Sequence, residues 1–193
     1  GVPGYPLIEA YLTGKELKTV AEIDASVSDL MTSARLYMYG LQFTYNPHRM
    51  ILNRVTDVYL LDADGNRREL EDDKLYRVVA DLYSGQMLSA VTKTSYGLLS
   101  VVPKKADGTP IENFEDVILT DNGGELKAWT AIAHYMESFP DENGDGIADI
   151  PQYYAGLHER KVVDDSFNLI KLIKNPNKYA VMIAGVVLIA ILL

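Results

Sequence analysis

The run Asp141-Glu142-Asn143-Gly144-Asp145-Gly146-Ile147-Ala148-Asp149 fits the pattern D-x-N-x-D-G-x-x-D. Calcium takes several hard oxygen ligands around a tight turn. Asp141, Asn143, Asp145 and Asp149 offer side-chain oxygens at positions 1, 3, 5 and 9. Ile147 offers a backbone carbonyl at position 7, and Gly146 permits the turn. Calcium is therefore the expected ligand of residues 141–149. The twelfth position is Gln152, so the bidentate Glu of an EF-hand is missing. The competing reading is a polar, Gly-rich turn following a helix.

Other metal chemistry has little to work with. The three histidines, His48, His134 and His158, sit in no D-x-H, G-N-H or paired His/Asp arrangement, so packing or surface roles suit them better. The sequence has no cysteine, which excludes disulfides, thiol nucleophiles and cysteine-bound zinc. The formal net charge is -9, and Lys and Arg form no long basic stripe. Duplex nucleic acid is thus not an expected partner.

The elements around these residues follow from hydrophobic periodicity and turn chemistry. Residues 5–12 read as a strand. Thr13 and Glu16 stand at capping-box spacing, opening a helix that carries Leu17, Val20, Ala21 and Asp24 and fades near 26–28. The aromatic-rich residues 36–45 read as one strand, or two with a kink at Gly40. Residues 46–49 form a turn and 55–61 a strand. Asp62-Ala63-Asp64-Gly65-Asn66 is a hairpin turn, with residues 75–80 as the returning strand. Residues 98–102 form a further strand, and 103–110 a loop with Asp107-Gly108 at its tip. Residues 125–139 form a helix served by Asp121 or Asn122, with an apolar stripe of Leu126, Trp129, Ile132, Ala133 and Met136. The elements do not alternate as βαβ units. The fold class is α+β, with a mixed, largely antiparallel sheet and packed helices.

Three stretches together resemble the C-terminal domain of the 5'-nucleotidase family, which includes bacterial UDP-sugar hydrolases and ecto-5'-nucleotidase. The first is Leu12-Thr13-Gly14-Lys15-Glu16-Leu17-Lys18. The second is Gly40-Leu41-Gln42-Phe43-Thr44-Tyr45-Asn46-Pro47, followed by Arg49 and Asn53-Arg54-Val55. The third is Tyr76-Arg77-Val78-Val79 with Asp81-Leu82-Tyr83. The resemblance implies a two-domain enzyme. An N-terminal metallophosphoesterase domain would hold two divalent metal ions, and this C-terminal domain would hold the nucleotide. It also implies that two aromatic rings sandwich the base. Tyr96 best matches one ring and Tyr37 the other, although Arg35-Leu36-Tyr37 and Ser84-Gly85-Gln86-Met87 depart from the family's loops. Arg35 is a substitute, since a guanidinium plane also stacks on a base. No residue of this chain is expected to be catalytic.

Past Phe139 the composition changes. Residues 140–178 read as a polar connector, and 1–139 as the substrate-binding domain. Residues 179–193 carry no charge and read as a C-terminal transmembrane helix, because a spanning helix is a long apolar run. Both ends look cut, so the chain reads as a fragment. Together with the resemblance, which implies an exported enzyme, the apolar tail leads to a cell-surface phosphohydrolase with its domain outside the membrane. The alternative is a non-catalytic surface module, a ligand holder or spacer derived from the same domain. A calcium-dependent adhesion domain rests on the 141–149 loop alone.

Overall fold

The computed structural model describes residues 3–28, 35–62, 64–94 and 99–192. In chain order the elements are β1 Leu7–Thr13, α1 Gly14–Val27, β2 Leu41–Tyr45, β3 Val55–Leu61, β4 Arg67–Glu69, β5 Leu75–Asp81, α2 Leu82–Thr94, β6 Thr120–Asp121, β7 Gly124–Glu125, α3 Ala128–Glu137, β8 Lys161–Val163, α4 Leu169–Ile173 and α5 Lys178–Leu192. They form two compact units. Unit 1 is Gly1–Glu16 with Asp73–His158, and unit 2 is Leu17–Asp72 with Glu159–Leu193. The mixed α+β class, with antiparallel pairing and packed helices, is what the sequence leads one to expect.

In unit 1, β1 pairs antiparallel with β5, Leu7 opposite Asp81 and Thr13 opposite Leu75. Side chains alternate across a strand, and Ile8, Ala10 and Leu12 take the buried face of β1. The helix start at Thr13 is a reciprocal capping box. Thr13 Oγ1 accepts from the Glu16 amide at 3.2 Å, and Glu16 Oε2 accepts from the Thr13 amide at 2.8 Å. Asp81 starts α2 in the same manner, accepting from the Ser84 amide at 2.9 Å and its hydroxyl at 2.7 Å. A β-carbon on Gly85 would run into Ile8 Cδ1 and lie 3.2 Å from Phe114, so glycine lets this helix approach the sheet.

In unit 2 the sheet order is β4-β3-β2-β8, with β8 parallel to β2 and the other neighbours antiparallel. Phe43 and Leu41 on β2 are buried, as is Val58 on β3. Along α1, Leu17, Val20, Ala21 and Ile23 are buried at helical spacing.

Several expectations need correction. The strand returning from the 62–66 turn is β4, not residues 75–80. Gly65 has the expected positive φ of 79°, but β5 pairs with β1 instead. Residues 36–40 are not strand, and β2 starts after Gly40, whose φ is 83°. Residues 82–94, whose Ser84-Gly85-Gln86-Met87 stands where the family has a loop, are α2. Residues 99–102 form no strand. Asp121 ends β6 and Asn122 lies in the turn to β7, while α3 begins at Ala128, with Lys127 before it giving no side-chain cap. The stripe on α3 is exposed at Trp129, Ile132 and Met136.

The tail also differs. Residues 161–163 and 169–173 are β8 and α4, within unit 2. The C-terminal helix α5 has 15 residues, about 22 Å at the α-helical rise. A hydrocarbon core is roughly 30 Å thick. Among the described residues no helix is long and apolar enough to cross a membrane.

Candidate functional site

The segment entering β2 presents the residues expected to stack on a base. Arg35, Tyr37 and Tyr39 are exposed, and Leu36 and Met38 between them are half-buried. That alternation is the period-two pattern of an extended chain. Tyr37 is 90% exposed. The Lys161 ammonium lies 5.7 Å from its ring centre, and the Arg160 guanidinium lies 5.1 Å from that of Tyr39. A cation against one ring face leaves the other free for a planar ligand.

An ion pair holds this ledge in place. Asp24 is 3% exposed, and its Oδ2 lies 2.6 Å from Lys161 Nζ. Its Oδ1 accepts from the Leu36 amide at 2.7 Å. Lys161 also donates to the Leu36 carbonyl. One buried carboxylate thus joins α1, β8 and the first turn of the ledge. Sequence reasoning placed Asp24 on a helix face without a role and missed Lys161. The available signal was a carboxylate at a position whose helical neighbours are apolar, which demands a partner.

Beyond β2 the chain turns through Asn46, Arg49 and Asn53, all buried. Arg49 donates from Nε to the Asn53 carbonyl at 2.6 Å, and from its two terminal nitrogens to the carbonyls of Lys171 and Lys174 at 2.6 and 2.9 Å. Asn46 donates to the Ser166 carbonyl at 2.8 Å. Glu22 accepts from the amides of Arg54 and Val55 at 2.8 and 2.9 Å. A cavity of about 230 Å³ opens beside Arg49, Lys171 and Lys174. Lys171 is paired with Asp164 at 3.0 Å, and the Arg49 fork is engaged by carbonyls, so the cavity reads as a junction that holds the tail.

Tyr96 lies outside the described residues. Arg35 and Tyr37 share the ledge in unit 2, whereas Asp141, Asn143, Asp145 and Asp149 stand in unit 1. In the 141–149 loop, Asp141 accepts from the Gly144 and Gly146 amides at 2.7 and 2.8 Å. These amides, Gly146 foremost, hold its carboxyl below the ordinary carboxylate range. Asn143 and Asp145 each accept from the amide two residues on. Asp149 accepts from the Glu142 and Asn143 amides. The turn is thus closed by its own side chains. Among the described residues, no group of three or more His, Asp or Glu is gathered to hold a metal.

Residues 4–91 match the family model described as 5'-nucleotidase, C-terminal domain. Among solved structures, the chain is similar to a 5'-nucleotidase precursor from Thermus thermophilus, at 20% identity and a TM-score of 0.51. That match covers 83% of this chain and 25% of the other, and the likeness is one of fold. A second similar structure is the NAD nucleotidase of Haemophilus influenzae, at 24% identity and a TM-score of 0.37, covering 42% of this chain and 15% of that one. This chain therefore spans about a quarter of the length of the Thermus protein. No curated protein matches the sequence.

Proposed function

We propose, on the premise that residues 4–91 belong to the 5'-nucleotidase C-terminal domain family, that this chain is the substrate-holding part of a nucleotidase of that type. The reaction is hydrolysis of nucleotides or related phosphate esters at the cell surface. One observation carries the reading: within the matched segment, Tyr37 stands 90% exposed on a ledge fixed by the Asp24–Lys161 pair. A base stacks on such a ring whatever its identity, because every base has a π-face. Arg35, two residues before Tyr37 on the same exposed stretch, would stack or meet phosphate, and Tyr96 is proposed in its own right as a base-stacking ring.

Divalent metals held by a separate metallophosphoesterase domain would activate water and stabilise the leaving oxygen. The residues of this chain bind and orient. Exposed α5, uncharged from Tyr179 onward, supports a location at a membrane; the domain lying outside is part of the same proposal and follows from an exported nucleotidase. The alternative is a non-catalytic surface module. It is favoured by the departure at Arg35, where the family resemblance implies a ring.

The test is steady-state kinetics on the full-length protein. Tyr37→Ala raises KM about tenfold, in line with the worth of base stacking, and leaves kcat nearly unchanged. An unchanged KM removes Tyr37 from the site. Absence of phosphate release from the full-length protein under every divalent metal favours the module.

A further inference from the structure

The tail of unit 2 exposes an unusual amount of apolar surface. Phe167, Leu169, Ile170 and Ile173 are each at least 70% exposed. Phe167 also stacks on His48, with ring centres 3.7 Å apart, which holds it in position. Along α5, Val186, Leu188, Ile189, Ile191 and Leu192 are each more than half exposed. From 166 to 192 the only charged residues are Lys171, Lys174 and Lys178, in a chain whose net charge is -9. The acidic groups flanking this stretch are Asp164, which pairs with Lys171, and Asp165, which faces His48 at 2.6 Å.

The segment is also tied down. Besides the Arg49 bonds to the carbonyls of Lys171 and Lys174, the Asn177 amide donates to Asn53 Oδ1 at 2.9 Å. Asn177 Oδ1 in turn caps α5 through the amides of Tyr179 and Ala180, both at 3.0 Å. The path of α4 into α5 is therefore set by the β2–β3 turn.

We propose that residues 167–192 seat unit 2 on an anionic lipid surface, with α4 in the headgroup layer and α5 among the acyl chains. The inference rests on the membrane location proposed above and deepens it. A helix apolar on every side belongs in a core or in hydrocarbon, and α5 is not in a core. Charge complementarity selects the lipid: basic residues beside an apolar seat are drawn to anionic headgroups. Arg49 is the positioning residue that fixes the domain's attitude to that surface.

The experiment is flotation of the whole chain with vesicles of phosphatidylcholine, with and without phosphatidylglycerol. Wild-type protein partitions about tenfold more strongly onto the anionic vesicles, and raised salt removes that preference. Lys171→Glu with Lys174→Glu abolishes the preference. Ile170→Ser with Ile173→Ser lowers partitioning about tenfold and leaves the melting temperature unchanged, because both side chains are exposed. Ile189→Asp reports on α5 alone. If Ile189→Asp weakens binding while the α4 and lysine variants behave as wild type, the headgroup seat is overturned and the membrane location stands. Equal binding to both vesicles overturns the anionic choice. Failure of wild-type protein to bind either vesicle overturns both readings. A dimer in solution broken by Ile170→Ser with Ile173→Ser assigns the surface to a second copy and overturns the lipid seat.

Discussion

The Arg49 guanidinium and the Lys171 carbonyl, 122 residues apart in the chain, are joined by a 2.6 Å hydrogen bond. With its bonds to the carbonyls of Asn53 and Lys174, Arg49 ties the β2–β3 turn to α4. It is 6% exposed, and burial lowers its pKa while the Glu22 carboxylate acts to raise it. Arg49→Met leaves three carbonyls without their donor, and a lost buried bond costs about 1–3 kcal/mol. The expected destabilisation is about 3 kcal/mol by denaturant unfolding. Arg49→Lys does not restore it, because an ammonium cannot reproduce the fork. Wild-type stability in Arg49→Lys contradicts this role.

Acid sensitivity follows from Glu16. It accepts from Lys104 Nζ at 2.6 Å and from the Val102 amide at 3.0 Å. Burial acts to raise its pKa. The Lys104 ammonium and the Thr13 and Val102 amides outweigh that effect, leaving the carboxyl below its ordinary 4.5. A group with a depressed folded pKa stabilises the fold above the unfolded pKa, and that stability is lost as pH falls through the folded value. Melting temperature therefore drops as pH falls below about 4.5, and Glu16→Gln drops less steeply over the same window. Parallel curves for both proteins contradict the assignment.

Calcium binding at the 141–149 loop is a third expected outcome. Asp141, Asn143, Asp145 and Asp149 accept the turn's own backbone amides, so a bound cation would have to share or displace those bonds. A cation that binds only the folded state raises the melting temperature by mass action. Millimolar calcium should do so, and Asp145→Ala should remove the rise. A wild-type melting curve unmoved by calcium disposes of the site.

What could be read from sequence was what neighbours decide. The Thr13–Glu16 box lies within four residues, and β3 needed only its apolar run and the Gly65 turn. The partner of β5 was hidden because pairing with β1 is non-local. The short β4, all exposed, carries no apolar pattern to announce it. Helix α2 was missed because Ser84 and Gly85 weaken its propensity. Gly85 is there for close packing against Ile8. For the proposed site, Tyr37 and Arg35 were named from the family resemblance, and the structure adds that both are exposed. The Asp24–Lys161 pair beneath them was not legible, since its members are brought together only by the parallel pairing of β8 with β2.

The central claim is that Tyr37 is a stacking platform for a nucleotide base. Isothermal titration of the whole chain with nucleoside monophosphates carrying each of the common bases tests it most directly. Wild-type protein should bind at least one of them. Tyr37→Ala and Tyr96→Ala should each weaken that binding tenfold or more, because stacking is worth about 1–3 kcal/mol per base. Equal affinity in wild type and Tyr37→Ala, or no binding of any nucleotide by the wild-type chain, contradicts the account.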